Sequence, residues 1–227
     1  MVISHKFRFI FLKTKKTAGT SLEVFLSGRC GPEDVLTPIL PHVEPHRARN
    51  YRGAWFPLSE LVDPACGFGG TLRDLATARR FYNHIPATTL RHRVPGEIWN
   101  SYFKFCVERN PWDKTLSHYH MVKNRTGGEL TLDEYLAAGD FCLNYPRYTD
   151  RAGHLLVDQV VHYESLSEEL GRVFDRLGIE FDGSLGVRAK SEHRTDRKPY
   201  QERFTPEQRD IVTRAFRTEI EMHGYSY

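Results

Sequence analysis

The sequence has few cysteines, and none of them lies close to another. Zinc sites usually take two ligands from a short CxxC-like pair, and no such pair is present, so a zinc site is not predicted. His118 and His120 would point to different faces of a helix and do not indicate a metal site either. We expect the four cysteines to be free thiols in a protein of a reducing compartment. They are Cys30, Cys66, Cys106 and Cys142.

Long hydrophobic runs are also missing. No segment approaches the roughly 18 apolar residues that a membrane-spanning helix requires. Met1 leads within a few residues into a predicted core strand, and no signal peptide is indicated. The sequence therefore predicts a soluble, cytoplasmic protein, although a chain trimmed of a membrane anchor would look the same.

A strong charge of either sign is absent as well. The 227 residues carry a formal net charge of +3 with neutral histidines, which does not favour a dedicated nucleic-acid-binding protein. An apolar content of 40% is enough for a real core. We predict a single domain over residues 1–227, with irregular insertions at about 28–80 and 125–155. No feature of the sequence indicates an oligomeric state.

What is present is a strand, a tight turn and a helix near the start of the chain. Residues 6–12, KFRFIFL, are mostly aromatic or β-branched and are typical of a strand. The segment from Thr20 to Ser27 places its apolar residues on one side of a predicted helix. A strand, a turn and a helix in this order open an α/β unit.

The rest of the chain continues the alternation of strands and helices. Prolines interrupt residues 30–65, and we predict a long loop there. Residues 99–108 and 156–166 are predicted strands. Asn110 and Pro111 form a strong helix-start signal. Helices are predicted at 71–80, at 86–94, from Pro111 onward, at 130–139, at 166–179, and from Thr205 to a stop at Gly224.

The turn between the first strand and the first helix, KTKKTAGTS, has the composition of an anion-binding site. Backbone N–H groups and the helix dipole favour negative charge at a helix N-terminus. Small residues let the backbone approach a ligand, while hydroxyls and lysines add donors and positive charge. The turn is not a Walker A loop, which needs GxxxxGK followed by Ser or Thr. The simpler interpretation is a polar helix cap with surface lysines, but a phosphate or phosphosulfate site explains why these residue types coincide.

The segment KKTAGTSLE resembles the PKTAGTS loop of sulfotransferases that use 3′-phosphoadenosine 5′-phosphosulfate (PAPS). The resemblance is to carbohydrate and heparan sulfate 2-O-sulfotransferase-like enzymes and their bacterial relatives, in which this loop holds the 5′-phosphosulfate. Lys15 stands where the family usually has proline. The resemblance gives Lys16 a catalytic contact with the phosphosulfate. The implied donor-binding residues of this loop are Lys16, Thr17, Ala18, Gly19, Thr20 and Ser21.

A second segment, ERNPWDKTLSHY, resembles the family's RNPxDRxxSxY motif. The resemblance implies that Arg109 and Ser117 bind the 3′-phosphate, and arginine is a natural forked partner of phosphate. The alternatives are a salt bridge from Arg109 to Asp113 and a plain helix-surface position for Ser117. Residues 157–179 and 197–227 resemble, more weakly, the family's RYExL region and C-terminal segment.

The resemblance implies an α/β, P-loop NTPase-like three-layer fold with a central parallel β-sheet flanked by helices. It also implies transfer of a sulfuryl group from PAPS, as a co-substrate and without a metal, to a hydroxyl acceptor, a carbohydrate or a glycolipid. Such a reaction builds negative charge on the leaving phosphate and requires a base for the acceptor hydroxyl.

His84, in FYNHIPA, resembles the GHxxx histidine that 2-O-sulfotransferase-like enzymes use as this base. Histidine titrates near neutrality, which suits general-base catalysis. Two alternatives stay open. His84 could merely order its loop, or the base could be a carboxylate near the turn in sequence, such as Glu23, Glu33 or Asp34.

Other contacts are less well indicated. Trp112 is a candidate to stack on adenine, but its position is more typical of a core residue. Sulfotransferases often place a basic loop over the 3′-phosphate before the last helix, where this chain has Lys190, Arg194, Arg197 and Lys198. Arginines and aromatic residues between 47 and 55 could bind an anionic sugar acceptor, but they are equally typical of ordinary surface with a small core patch. They are Arg47, Arg49, Tyr51, Arg52 and Trp55.

Two other classes of function remain open from the sequence alone. The first is a nucleotide-dependent phosphotransferase with a variant loop, for which no magnesium-binding aspartate is evident at a strand end. The second is a nucleotide-binding module that has lost catalysis.

Overall fold

A five-stranded mixed β-sheet forms the centre of the protein. The computed structural model describes residues 1–186 and 199–227. The strands are β1 (Val2–Ser4), β2 (Phe9–Leu12), β3 (Val35–Leu36), β4 (Phe103–Glu108) and β5 (Gln159–His162). They are arranged in the order β3-β1-β2-β4-β5. β2, β4 and β5 are parallel, whereas β1 is antiparallel to both neighbours. The prediction of a parallel sheet is therefore correct for three adjacent strands and wrong for β1.

A tight reversal between β1 and β2 explains this difference. The sequence predicts one strand over residues 6–12, but β2 begins only at Phe9. Asp34 stabilises the reversal, because its carboxylate accepts the backbone N–H groups of His5 and Lys6. A segment with strand-like composition thus contains a turn, and a carboxylate distant in sequence holds it.

Helices pack on both faces of the sheet. In the described residues they are α1 (Gly19–Ser27), α2 (Leu58–Val62), α3 (Phe68–Ala76), α4 (Ala87–Arg93), α5 (Gly96–Ser101), α6 (Pro111–Arg125), α7 (Leu132–Ala138), α8 (Tyr145–Tyr148), α9 (Leu166–Leu177), α10 (Pro206–Ala215) and α11 (Arg217–His223). Asn110 caps α6 as predicted, and Thr205 forms a capping box at the start of α10. Gly139 and Gly224 end their helices in the left-handed conformation.

Several predicted elements have different bounds. The strand predicted over 99–108 begins at Phe103, because its first residues belong to α5. The strand predicted over 156–166 is limited to β5, and a 3₁₀ turn follows it. The predicted helix at 71–80 is α3, which begins and ends earlier.

Two further segments differ from the predictions. The predicted C-terminal helix is divided into α10 and α11 at Phe216, whose side chain is buried. The region predicted as loop, residues 30–65, contains the edge strand β3 and the short helix α2.

The alternation of side chains along the strands divides the core between the two faces of the sheet. Phe9 and Phe11 of β2 pack with apolar residues of α1 and α9. Ile10 and Leu12 pack on the opposite face with residues of α4 and α8. A third apolar cluster joins α6, α7, α10 and α11. No described helix is both long and apolar enough to cross a membrane.

Candidate active site

A cleft of about 1470 Å³ opens where the parallel strands end. The residues that follow β2, β4 and β5 all contribute to its wall, among them Lys13, Arg109 and Tyr163. The carboxyl edge of parallel strands is the usual ligand position in open α/β sheets. The residues that the resemblance assigns to donor binding and catalysis all line this cleft, namely Lys16, Thr17, Ala18, Gly19, Thr20, Ser21, His84, Arg109 and Ser117.

Within residues 1–186 and 199–227, the permanently charged side chains of the cleft wall are all basic. No aspartate or glutamate is among the described residues that line it. The basic residues of the wall are Lys13, Lys15, Lys16, Arg109 and Arg125. Concave surfaces lined by one sign of charge concentrate ligands of the opposite sign. The cleft is therefore suited to a ligand that carries several negative charges.

The backbone of the loop between β2 and α1 is arranged for an anion. Lys16 and Ala18 have left-handed φ angles of 63° and 58°, whereas Thr17 between them does not. Such alternation turns successive N–H groups toward one side, as in anion-binding nests. Ala18 is also the N-cap of α1, and its side chain makes no capping hydrogen bond. The positive end of α1 thus faces the loop without a side-chain cap.

Hydrogen bonds from other elements hold this loop in place. The side-chain amide of Asn144, which precedes α8, accepts from the N–H of Lys15 and donates to its carbonyl, both at 2.9 Å. The hydroxyls of Thr14 and Thr17 are 2.8 Å apart, and the Thr14 hydroxyl donates to the Val107 carbonyl in β4. Because these bonds lie within the protein, the backbone is preorganised before a ligand binds.

Lys13 lies along the cleft, but its ammonium is turned into the core. Its Nζ donates to Glu23 at 2.5 Å, and both side chains are almost wholly buried. The lysine stem passes over Gly19, where a Cβ atom would lie 2.8 Å from Lys13 Cγ. Glycine is needed here for close packing, since Gly19 has no left-handed φ.

Burial alone would raise the pKa of Glu23, but the Met1 and Lys13 ammonium groups lower it, so this carboxylate is an ionised structural partner.

A second buried ion cluster lies behind the loop. Lys114 Nζ donates to Glu108 and to Glu219, at 2.7 Å in each case, and all three side chains are fully buried. Glu219 also accepts the backbone N–H of Asn144 at 2.5 Å. Burial, together with the nearby Glu108 carboxylate, raises the pKa of Glu219. Through Asn144 this cluster positions the loop at Lys15, although none of its three members lines the cleft.

Arg109 joins the two segments that the sequence singled out. Its Nη1 donates to the carbonyl of Lys16 at 3.1 Å, and its Nε and Nη2 donate to Asp113 at 2.9 and 2.6 Å. The guanidinium also lies over the ring of Tyr163, 4.2 Å from the centroid. The salt bridge to Asp113 that the sequence left as an alternative is therefore present, and the guanidinium has two further N–H donors. Ser117 follows Asp113 by one helical turn on the cleft side of α6.

His84 reaches the cleft from the segment before α4, with a left-handed φ of 60°. Its Nδ1 lies 3.0 Å from the carbonyl of Lys13. Because a carbonyl only accepts, Nδ1 carries the proton and Nε2 is left as the unprotonated nitrogen. Burial, followed by the charge of Lys13, lowers the pKa of His84 to about 3. The imidazole is therefore neutral near pH 7 and in the tautomer that a base requires.

His118 is a cleft residue that the sequence reasoning passed over. Its Nδ1 is 2.8 Å from the hydroxyl of Tyr135, and its side chain is mostly buried. Burial, followed by the charge of Lys16, lowers its pKa to about 4. The segment that predicted Ser117 as a site residue also contains His118, the next residue of α6. That proximity could have predicted His118 as a cleft residue.

The carboxylates considered as alternative bases do not line the cleft. Glu23 is buried against Lys13, and Asp34 is bonded to the backbone N–H groups of the β1–β2 reversal and of Gly31. Glu33 is exposed elsewhere on the surface.

The remaining candidates have mostly structural positions. Trp112 belongs to the apolar cluster of α6 and α10 and stacks on Tyr200, as expected for a core residue. Arg49 donates to backbone carbonyls and Trp55 to Glu60. None of the five acceptor candidates between 47 and 55 lines the cleft, so that hypothesis is not supported. Lys190, Arg194, Arg197 and Lys198 lie outside the described residues.

Among the described residues, a mixed group of potential metal ligands lies outside the cleft. The ligand atoms of Asp63, Cys66 and His92 are all within 4.8 Å of one another. The sequence did not indicate this group, because its members are distant along the chain. Asp63 already pairs with Arg91 at 2.7 Å and with His92 at 2.9 Å, so the arrangement is that of an ion-pair cluster. All four cysteines are unpaired, as predicted.

Comparison with known proteins gives a family but no activity. No protein-family model matches the chain. An uncharacterized protein of Archaeoglobus fulgidus is 32% identical over 117 residues, which cover 48% of this chain and 98% of the archaeal protein. The chain belongs to the family of that archaeal protein. The shared family implies a common fold over the matched region, and its function has to be inferred from the site.

Proposed function

We propose that this protein is a PAPS-dependent sulfotransferase with a P-loop NTPase-like donor site. One observation carries the proposal. The two segments that resemble the phosphosulfate loop and the 3′-phosphate motif meet at the hydrogen bond from Arg109 to Lys16, and they line one cleft to which no described residue contributes a carboxylate. A donor that carries a phosphosulfate and a separate 3′-phosphate needs two adjacent anion sites, and these segments supply both.

The loop after β2 holds the 5′-phosphosulfate in this proposal. The nest at residues 16–18 and the positive end of α1 would hold the phosphate, and the Lys16 ammonium would supply positive charge to the phosphosulfate. Arg109 and Ser117 bind the 3′-phosphate. Arg109 can do so with its two remaining N–H donors or by exchanging Asp113 for the phosphate.

Sulfuryl transfer then proceeds in line between the acceptor and the leaving phosphate. The acceptor oxygen forms a bond to sulfur as the bond from sulfur to the phosphate oxygen breaks, and 3′-phosphoadenosine 5′-phosphate leaves. Lys16 and the loop N–H groups stabilise the negative charge that develops on that phosphate. His84 Nε2 accepts the proton of the acceptor hydroxyl. Burial, followed by the charge of Lys13, keeps the pKa of His84 low, so Nε2 is unprotonated and available for this proton.

The acceptor in this proposal is a hydroxyl of a carbohydrate or glycolipid. Typical ligand pockets occupy about 300–1,000 Å³. The cleft volume of about 1470 Å³ therefore leaves room beside the donor for a second substrate. Apolar residues such as Leu40, Phe181 and Leu185 form part of the wall and could pack against the face of a sugar ring.

Isothermal titration calorimetry with 3′-phosphoadenosine 5′-phosphate, run beside ATP and ADP, tests the donor site. We expect micromolar binding of the 3′-phosphorylated nucleotide and at least tenfold weaker binding of ATP. Preference for ATP would instead support the phosphotransferase alternative, and no binding of any nucleotide would overturn the proposal.

Arg109→Ala with Arg172→Ala as its matched control sharpens this test. Both arginines form an ion pair with a carboxylate one helical turn away in sequence, but only Arg109 lines the cleft. Loss of hydrogen bonds to a phosphate costs about 1.5–3 kcal/mol. We therefore expect Arg109→Ala alone to weaken binding of the 3′-phosphorylated nucleotide by about ten- to a hundredfold. Equal affinities of the two variants would remove Arg109 from the donor site.

A transfer assay then separates an enzyme from an inactive binding module. Release of 3′-phosphoadenosine 5′-phosphate from PAPS is measured with a set of sugar and glycolipid acceptors. His84→Asn should bind the nucleotide like the wild type and lose acceptor-dependent release. Nucleotide binding without release from any acceptor would favour the inactive module.

A further inference from the structure

Exposed large apolar side chains are concentrated in one short segment. Among the described residues, five of the seven such side chains lie between positions 56 and 72. They are Phe56, Leu58, Val62, Phe68 and Leu72, with exposed fractions of 74%, 59%, 76%, 62% and 45%. Scattered exposed apolar residues need no explanation, but a concentration of this kind marks an interaction surface. We call these five side chains the 56–72 surface.

The two helices that carry four of these side chains bury acidic and hydroxyl groups between them. Glu60 of α2 accepts the hydroxyl of Thr71 of α3 at 2.7 Å, and both residues are buried. Leu58 and Val62 are one helical turn apart and lie opposite Glu60 on α2. On α3, Phe68 and Leu72 are likewise one turn apart and exposed. Each helix therefore buries a polar side chain and exposes two large apolar ones, unlike an ordinary surface helix.

The exposed charged side chains within residues 52–93 are basic. Residues 52–93 contain three acidic side chains, each paired inside the segment: Glu60 with Arg93, Asp63 with Arg91, and Asp74 with Arg79 and Arg93. Arg52 and Arg73 are exposed at the ends of the apolar segment. Arg151, also exposed, donates to the carbonyl of Pro64 beside Val62. The surface is thus apolar, flanked by arginines, and free of exposed carboxylates within 52–93.

We propose that the 56–72 surface seats the protein on an anionic lipid membrane. Apolar side chains that project from helices, with cations beside them, insert at the boundary of headgroups and acyl chains while the cations meet anionic headgroups. A second copy of the chain fits less well, because a two-fold contact through this surface would bring arginines toward arginines. The nearest carboxylates, Asp63 and Asp150, are already bonded to Arg91 and to the backbone of residues 152–154. This inference does not depend on the proposed sulfotransferase activity.

Vesicle co-sedimentation of the full chain tests the proposal. The protein is mixed with phosphatidylcholine vesicles prepared with and without phosphatidylglycerol. We expect binding that requires the anionic lipid and weakens with added salt. The variant Val62→Ser with Phe68→Ser should bind at least about tenfold more weakly, because two inserted apolar groups are lost. Both side chains are exposed, so circular dichroism should show an unchanged fold.

Two control variants, Leu155→Ser and Arg172→Glu, show whether lipid binding depends on the 56–72 surface. Leu155→Ser removes an exposed apolar side chain outside the 56–72 surface and should leave binding unchanged. Arg73→Glu should weaken binding, whereas Arg172→Glu, the same charge change on α9, should have a much smaller effect. The proposal is overturned if the wild type ignores anionic vesicles or if Val62→Ser with Phe68→Ser binds like the wild type. Self-association that this double variant abolishes, without lipid binding, would assign the surface to a second copy instead.

Discussion

Two groups of lysines lie on opposite sides of the loop that joins β2 to α1, and they are used in opposite ways. Behind the loop, Lys13 and Lys114 are buried and bonded to carboxylates. In front of it, Lys15 and Lys16 line a cleft to which the described residues contribute no carboxylate. The same residue type therefore stabilises the fold on one side and faces a ligand site on the other.

The difference shows how the site can be both cationic and stable. A charge in a buried ion pair contributes to the fold only while its partners remain, whereas a charge facing a cleft contributes to binding. The buried cluster also holds Asn144, which holds the loop at Lys15. Changes behind the loop should therefore reduce stability first, and changes in front of it should reduce activity without affecting stability.

The largest expected effect is that of Lys114→Met. Methionine keeps the volume but leaves the Glu108 and Glu219 carboxylates buried without their ammonium partner. Removing one member of a buried ion cluster typically costs about 3–5 kcal/mol. We expect the free energy of unfolding, measured by urea denaturation, to fall by about that amount.

A compensating substitution checks the origin of this loss. Adding Glu219→Gln to Lys114→Met removes one stranded carboxylate and should recover part of the stability. Lys6→Met, at an exposed lysine, is the control and should change the unfolding free energy by less than about 0.5 kcal/mol. A small effect of Lys114→Met would mean that the cluster is not the support of the site.

Lys16→Ala should show the opposite behaviour. If Lys16 stabilises the charge on the leaving phosphate, its removal should lower turnover of PAPS by about 10²–10³-fold. Lysine and alanine have similar difficulty in adopting the left-handed φ at this position, so unfolding free energy should change little. Turnover in saturating PAPS, compared with that of Lys6→Ala, measures the effect. Turnover equal to that of the control would remove Lys16 from the mechanism.

Gly19→Ala should reduce both stability and nucleotide binding, because Gly19 packs against the buried Lys13 stem and also lines the cleft. The added Cβ would meet Lys13 Cγ at 2.8 Å, and the bond to Glu23 prevents the lysine stem from moving freely. Overpacking of this kind costs about 1–3 kcal/mol. We expect lower stability in urea together with weaker nucleotide binding by calorimetry.

Gly28→Ala is the matched control for this substitution. Gly28 closes the same helix with an ordinary φ of −68°, and a Cβ atom there would have its nearest contact at 3.7 Å. Alanine should therefore be accepted at this end of α1. If both substitutions have equal effects, packing against Lys13 is not what requires glycine at position 19.

Local signals in the sequence predicted much of the fold. The Asn110 cap, the helix start at Thr205 and the glycine stops depend on neighbouring residues, and they are confirmed. The errors occur where distant residues decide. The reversal before β2 depends on Asp34, and the break between α10 and α11 accompanies burial of Phe216. Neither dependence is visible in the local pattern.

The candidate site divides in the same way. The loop of residues 16–21 and Arg109 could be found from the sequence because short motifs contain them, and the structure brings them together. Asn144 and the Glu108–Lys114–Glu219 cluster could not be found, because their roles depend on contacts between segments far apart in the chain. The roles of the motif residues in catalysis remain predictions.

The smallest expected effect concerns the pH dependence of stability. The folded protein keeps His84 neutral down to about pH 3, whereas the unfolded chain protonates it near 6.5. Lowering the pH below 6.5 therefore favours unfolding, at about 1.4 kcal/mol per pH unit for one fully differential proton. His84→Asn should flatten the plot of unfolding free energy against pH by roughly this slope just below pH 6. Asparagine tolerates the left-handed φ and retains a donor for the Lys13 carbonyl, so stability near neutral pH should be preserved. An unchanged slope would show that His84 titrates alike in the folded and unfolded protein, so burial and the charge of Lys13 would not be lowering its pKa.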